Sequence, residues 1–245
     1  IYTRTSSENT CQNVPMMIGK NTTSKAAVMF RPRCKLWGCP NCAKTNADLW
    51  IMRATYATHL LMEQGKPLDM VTVTSHEKLS PAQTIRVLPG AWDKLRKRAI
   101  YKAGRLDYLA LPERHADFRV HIHALVLCQF GRKWWKDNAR ECGLGYMAED
   151  KPVFSAAGAG FYVGKYLTKQ LSIACWAKGF RRIRTSKGWP KLPPLERAEG
   201  WEFAIVPKNE SVAETFHNLR LHGYSVYVTD HKTAWQLIET GELIS

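Results

Sequence analysis

The chain has 245 residues, 36 of them Lys or Arg against 21 Asp or Glu, which gives a formal net charge of +15 and a pI near 9.6. An apolar fraction of 45% is that of a globular protein, and no apolar run approaches the ~18 residues of a membrane span. This balance excludes a membrane-crossing helix and a disordered chain, and seven cysteines without an expected secretory signal argue against a disulfide scaffold. The cation excess favours a polyanionic partner through counterion release, and nine Trp with nine Tyr offer flat surfaces for unpaired bases.

Residues 1–42 are polar and Cys-bearing, with too few apolar side chains for a core of their own. Leu49, Met52, Tyr56 and Leu60 recur at helical spacing, so 43–64 is expected to be a helix that Gly65 and Pro67 stop. Leu68 to Thr74 reads as a buried strand. Ser80-Pro81 is a helix start, with the Ser as cap and the Pro in the first turn. The basic segment to Lys102 continues that helix, and Pro89-Gly90 should bend or divide it. Tyr108 to Leu111 and Phe118 to Leu127 read as two more strands, followed by a short helix over 132–141 carrying Trp134 and Trp135. A loop ending in Ala-Ala-Gly-Ala-Gly leads to a helix over 161–171. Trp189 to Pro194 is the candidate linker, and beyond it 201–206 and 224–229 read as strands and 232–240 as a final helix.

Cys34-x4-Cys39-Pro-Asn-Cys42 ends in a Cys-x2-Cys pair, a spacing that lets thiolates and nearby backbone amides surround one Zn²⁺. A structural site takes four ligands; Cys11 is the expected fourth, with His59, one helix away, as the alternative. Cys128, Cys142 and Cys175 are scattered and read as core residues. The fold class that follows is α+β: a central antiparallel sheet with flanking helices and an N-terminal zinc-binding extension. Three parts are expected, namely 1–65 with the cysteines and first helix, 66–190 with the sheet, and 191–245 as an α/β extension.

Alternate side chains of a strand share a face, so His121 and His123 point one way while Val120, Ile122, Ala124 and Val126 point into a core. Two imidazoles on a rigid strand make half of a metal site. Glu113, at the end of the preceding strand, reaches the same face if the two strands pair through a turn around Asp117. Two His and one Glu leave coordination positions open for phosphate oxygens and water.

Tyr162 and Tyr166 are four apart on the expected helix, so both hydroxyls can face one cleft, and Lys165 and Lys169 each follow a tyrosine by three residues. A phenol with an ordinary pKa of ~10 is a weak nucleophile at neutral pH, and neighbouring ammonium groups favour its phenolate. Two basic segments remain. Lys94, Arg96, Lys97, Arg98, Lys102 and Arg105 lie on or just after one helix and read equally as a solvated face. Arg181, Arg182, Arg184, Lys187 and Lys191 follow the tyrosine helix with Phe180 and Trp189 interleaved, which suits phosphates and unpaired bases.

In this order the pieces resemble the HUH superfamily of single-strand DNA nucleases, in which U is a hydrophobic residue. Leu68 to Thr74 (LDMVTVT) looks like the first motif strand, His121-Ile122-His123 like the second, and the run YVGKYLTK at 162–169 like the third. The two-tyrosine form with a Lys after each is especially similar to the gene A replication proteins of small single-stranded DNA phages, and the resemblance covers about residues 68–190. It implies a ferredoxin/RRM-like HUH fold and a rolling-circle replication initiator, working in the cytoplasm of a bacterial host and away from any membrane. Its substrate would be single-stranded origin DNA, and host helicase and polymerase its partners.

On that resemblance His121, His123 and Glu113 hold Mg²⁺ or Mn²⁺. Tyr162 and Tyr166 form and pass on a 5′-phosphotyrosine link, Lys165 and Lys169 support them, and Arg181, Arg182, Arg184 and Lys187 contact DNA. Relaxases carry their tyrosine upstream of the histidines, whereas initiators and two-tyrosine transposases share the present order. No Gly-x4-Gly-Lys-Ser/Thr follows, so no helicase domain is expected in this chain. A transposase, or a non-catalytic zinc-stabilised nucleic-acid-binding protein, is the alternative.

Overall fold

Two sets of strands form because two sets of β-branched and aromatic runs find partners, one set nearby in sequence and the other at the far end of the chain. The computed structural model describes residues 11, 14–114, 119–171, 181–193, 199–207 and 209–240. In chain order its elements begin β1 (Met17–Asn21), β2 (Ala26–Phe30), α1 (Pro40–Glu63), β3 (Asp69–Ser75), α2 (Pro81–Ala103), β4 (Tyr108–Arg114) and β5 (Val120–Val126). They continue with α3 (Arg132–Glu141), β6 (Leu144–Pro152), α4 (Ala156–Leu171), β7 (Arg184–Thr185), β8 (Trp201–Ile205), α5 (Val212–Leu221), β9 (Ser225–Thr229) and α6 (His231–Thr240). The chain divides into two compact units: Ala47–Leu192, and Ile1–Asn46 with Pro193–Ser245. Of the parts the sequence reading separated at 65 and 190, residues 1–46 therefore share a unit with 193–245, while 47–65, with most of the first helix, belong to the contiguous unit.

The contiguous unit holds an antiparallel sheet in the order β6-β3-β5-β4-β7, its first four strands laid down as β-α-β-β-α-β. Val71, Val73, Val120, Ile122, Ala124 and Val126 cover one face and meet Leu88, Trp92 and Leu95 of α2 and Trp135 of α3. Ser80 caps α2 in a reciprocal capping box with Gln83. Pro89 does not divide this helix, which runs unbroken from Pro81 to Ala103. The proline ring and its missing N–H cost about 3 kcal/mol, which burial of the Leu88, Trp92, Leu95 and Ala99 face outweighs.

Helix α1 spans the expected segment, but Met52 is 49% exposed, and the buried stripe runs through Ala54, Ala57, Thr58 and Leu61 instead. Small residues win because α4 lies close. A Cβ on Gly160 would sit 2.0 Å from Thr55 Oγ1, and one on Gly164 3.0 Å from Ile51 Cδ1. The Ala-Ala-Gly-Ala-Gly stretch is accordingly no loop: it is the first turn and a half of α4, started by Ser155 Oγ accepting the Gly158 N–H at 3.0 Å. Strand β6, absent from the sequence reading, is a polar edge strand ending in Pro152, a composition that edges favour.

Asp69 is buried where β3 meets β6, and burial together with the negative charge of Asp150 pushes its carboxyl up to about 6. The folded state thus holds a proton more tightly than the unfolded chain, whose Asp titrates near ~3.9. Stability from this site is full in acid and falls as pH rises through that window. Asp69→Asn should raise the urea midpoint at pH 7 and flatten its pH dependence between about 4 and 6. A lower midpoint at pH 7 would mean the carboxylate is a net stabiliser.

The second unit has the sheet order β8-β1-β2-β9, antiparallel except for the parallel β2–β9 pair. Ile18, Ala27 and Met29 pack with Val206 and Leu219 on one face; Val28 and Phe30 pack with Ala234, Leu237 and Ile238 on the other. The N-terminal segment therefore does contribute core residues, but its core is completed by α5 and α6 from the other end of the chain. The expected strands at 201–206 and 224–229 and the final helix lie close to β8, β9 and α6, while β1, β2 and α5 escaped the sequence reading.

Candidate active site

Pairing of β4 with β5 sets Glu113 beside His121 and Leu111 beside His123, and pairing of β3 with β5 sets Thr72 beside His123 and Thr74 beside His121. Residues opposite one another in register share a face, so Glu113, His121, His123, Thr72 and Thr74 stand on the side opposite the valines. Helix α4 packs against β4 and seats Val163 and Leu167 in the interior, which turns Tyr162 and Tyr166 to the sheet.

His123 is the hub. Its Nε2 lies 2.8 Å from Glu113 Oε2, and both side chains are about 5% exposed. Its Nδ1 lies 2.9 Å from the Tyr162 hydroxyl and 3.0 Å from Thr72 Oγ1, with the two hydroxyls 3.2 Å apart. The Tyr166 ring stacks on the imidazole with centroids 3.6 Å apart and lies 4.5 Å from the Tyr162 ring. One hydrogen placement serves every member: Nε2–H donates to the carboxylate, and Nδ1 accepts from a hydroxyl.

His121 sits one row along, its ring centroid 6.1 Å from that of His123. Among the described residues only the four cysteines gather three or more donor atoms within 4.8 Å of one another, so the two histidines and Glu113 are not drawn into a closed cage. His123 Nε2 and Glu113 Oε2 nonetheless have the spacing of neighbouring ligands on an octahedral ion, about 3 Å for bonds of ~2.1 Å.

Lys165 lies over the Tyr166 ring, its Nζ 5.6 Å from the centroid. The side chain of Lys169 lies outside the described residues, as do Asp117 and Cys175. Burial pushes the Tyr162 phenol above its ordinary value, the reverse of the activation expected from the neighbouring ammonium groups. Thr72 joined the site unforeseen; the alternation Val71-Thr72-Val73-Thr74 is the signal that could have found it. Glu149 of β6, opposite Thr72 in register, is the second unforeseen member, and its charge adds to the upward push on Tyr162.

The two basic segments differ in pairing. In the first, Arg96 and Lys97 bind Asp93, Arg98 binds Glu141, and Arg105 binds Asp107, so most of that charge is spent internally. In the second, Arg181, Arg184 and Lys187 line an open groove at the β7 edge, and Arg182 is half-buried.

Cys11 Sγ lies 3.8, 3.6 and 3.2 Å from the sulfurs of Cys34, Cys39 and Cys42, and Cys34 lies 3.6 Å from Cys42. Four thiolates around zinc at ~2.3 Å have sulfur–sulfur edges of about 3.8 Å, so the cluster could hold Zn²⁺ with little adjustment. His59 does not join it, being exposed and 3.3 Å from Glu63. Arg33 ties the loop to α1, donating to Asn46 Oδ1 at 2.8 Å, while Asn46 donates to the Lys35 carbonyl at 2.9 Å. Burial alone raises the Cys39 thiol, but hydrogen bonds from the Cys42 amide and the Cys34 and Cys11 thiols overcome it and bring it down to about 6.

No protein-family model, curated protein or solved structure matches the chain.

Proposed function

We propose that the chain is a rolling-circle replication initiator of the HUH type, which nicks single-stranded origin DNA through a 5′-phosphotyrosine intermediate and rejoins the strand. The observation that carries this reading is the single group in which His123 bonds to Glu113 and Tyr162 and stacks on Tyr166. Residues from two strands and a helix, up to 53 positions apart (Glu113 to Tyr166), converge there. The β-α-β-β-α-β unit with its outer strand β6 beside β3 also suits the ferredoxin/RRM-like fold that the resemblance implies.

Glu113, His123 and His121 are the residues that would hold Mg²⁺ or Mn²⁺, an ion that polarises the scissile phosphate when bound. The protein's own groups handle the rest. With Nε2 reserved for the ion, His123 would carry its proton on Nδ1 and donate it to the Tyr162 oxygen, while the Tyr162 proton, held on the phenol by burial, passes to solvent as that oxygen attacks phosphorus. The new tyrosyl O–P bond forms as the P–O3′ bond breaks, and the departing 3′-oxygen takes up a proton and serves as primer. Tyr166 makes the second transfer, so the strand passes between two phenols without release. Lys165 supplies positive charge beside Tyr166, and Arg181, Arg182, Arg184 and Lys187 hold the strand. Host helicase and polymerase would act on the freed end.

The test incubates the protein with a labelled single-stranded origin oligonucleotide and Mn²⁺, then separates the products on a denaturing gel. A covalent protein–DNA band should form, vanish with EDTA and be absent from the Tyr162→Phe/Tyr166→Phe variant. Binding without any such band would instead make the chain a non-catalytic zinc-stabilised DNA-binding protein. A band that survives in the double variant would remove the tyrosines from the chemistry.

A further inference from the structure

The groove at the β7 edge has a volume of about 450 Å³ and is walled by Trp92, Asp93 and Arg96 of α2, Trp50 of α1, and Arg181, Arg184 and Lys187. That volume falls in the ~300–1,000 Å³ range of sites for small ligands. A second open groove of similar volume, lined by Lys97, Arg98, Tyr101 and Lys102, is a useful contrast because its Lys97 and Arg98 are ion-paired, with Asp93 and Glu141.

At the β7 edge the charges are left over. Arg96 is held by Asp93, but among the described residues no carboxylate lies within ion-pairing distance of Arg181, Arg184 or Lys187. Arg184 is half-buried, and burial pulls its guanidinium below the ordinary value, with the nearby Asp93, already paired with Arg96 and Lys97, offsetting this only in part. A partly desolvated cation of this kind invites an anion.

The cations are also held in place. Arg184 pairs in register with Ala110, and the Ser186 amide donates to the Tyr108 carbonyl at 3.0 Å. Ser186 Oγ donates to Asp107 Oδ1 at 2.9 Å and accepts the Tyr108 N–H at 3.2 Å. Gly188 sits so close to this anchor that a Cβ would fall 2.2 Å from Asp107 Oδ1, and Trp189 is buried behind it. A charged edge already fixed before binding loses little entropy when it takes a ligand. Beside it the half-buried Trp50 offers an indole on which the Arg53 guanidinium rests, 4.8 Å from the centroid.

We infer that this groove is a nucleotide subsite for the single-stranded substrate, outside the tyrosine cluster: Arg184 and Arg181 take a backbone phosphate, and Trp50 stacks on an unpaired base. The inference rests on the DNA-processing reading for its ligand, but binding, read without Mn²⁺, tests it separately from covalent chemistry.

The full chain is titrated against fluorescein-labelled oligothymidylate by anisotropy, with a duplex of equal length as a second probe. Arg184→Gln and the surface variant Arg181→Gln should each weaken single-strand binding about tenfold at moderate salt, and each should lower the salt slope by about 0.7. Trp50→Leu should lose most of the preference for single-stranded over duplex DNA. Arg98→Gln, an equal loss of charge on the other groove, should bind within about twofold of wild type. If all three groove variants bind like Arg98→Gln, the subsite is wrong even where the covalent band still forms. If the covalent band never forms but the groove variants lose affinity, the subsite stands without the catalytic reading.

Discussion

His123→Ala should abolish the covalent protein–DNA band, slowing its formation by roughly 10³-fold or more, while single-strand binding stays near wild type. Holding the nucleophile and the phosphate-polarising ion in one geometry contributes several orders of magnitude, and here one imidazole is a proposed ligand beside Glu113, bonds Tyr162 and stacks on Tyr166. The variant should also be less stable by about 2 kcal/mol, because it withdraws a hydrogen bond from a carboxylate that is 3% exposed. Glu113→Gln separates the two effects. Its amide oxygen can still accept from Nε2, so folding should stay close to wild type while band formation falls by about 100-fold or more. Time courses on denaturing gels, set beside urea titrations, check both expectations. A His123→Ala protein that forms the band at the wild-type rate would overturn the proposed chemistry.

Removing zinc should have the larger effect on folding. The purified protein is expected to carry about one zinc ion per chain, bound by Cys11, Cys34, Cys39 and Cys42. Zinc bound to such thiolate sets is worth an apparent ~10–16 kcal/mol near neutral pH. A strong chelator, or Cys42→Ser, should therefore unfold the loop around Cys34 and α1's first turn and lower the melting temperature of that unit markedly. Protons compete with the metal for sulfur, so zinc should be lost progressively as pH falls. Elemental analysis after dialysis and a thermal melt with and without chelator are the measurements. A metal-free protein with an unchanged melt would leave the four cysteines as packing alone.

What could be read from the sequence follows the distance between cause and consequence. Period-two alternation gave β5 its two faces, and four-residue spacing put Tyr162 and Tyr166 together, because both patterns are local. Cys11 could be matched to Cys34, Cys39 and Cys42 because ligand chemistry leaves few alternatives. Strands β1 and β2 were not foreseen: five residues each, they bury Ile18 and Val28 only when β8, β9, α5 and α6 arrive from more than 170 positions away. Gly158 and Gly160 read as loop because glycine disfavours helices on average. The use of Gly160 and of Gly164 is steric, letting Thr55 and Ile51 approach. The cations after α4 were recognised as a set, but that no carboxylate among the described residues pairs with Arg181, Arg184 or Lys187 is a tertiary fact, as is the burial that keeps Tyr162 protonated.

The interleaving of the two chain ends in one sheet orders events during synthesis. A ribosome making this chain emits residues 47–192 as one uninterrupted block, with every partner of its sheet present by the time β7 emerges. The other sheet has only its central hairpin at that stage, with both flanks of β1 and β2 bare until β8 and β9 are made. Unpaired flanks of this kind recruit strands from other chains. A nascent chain stalled or cleaved before Trp201 should therefore be the aggregating species, and early zinc capture would hold that waiting segment in place.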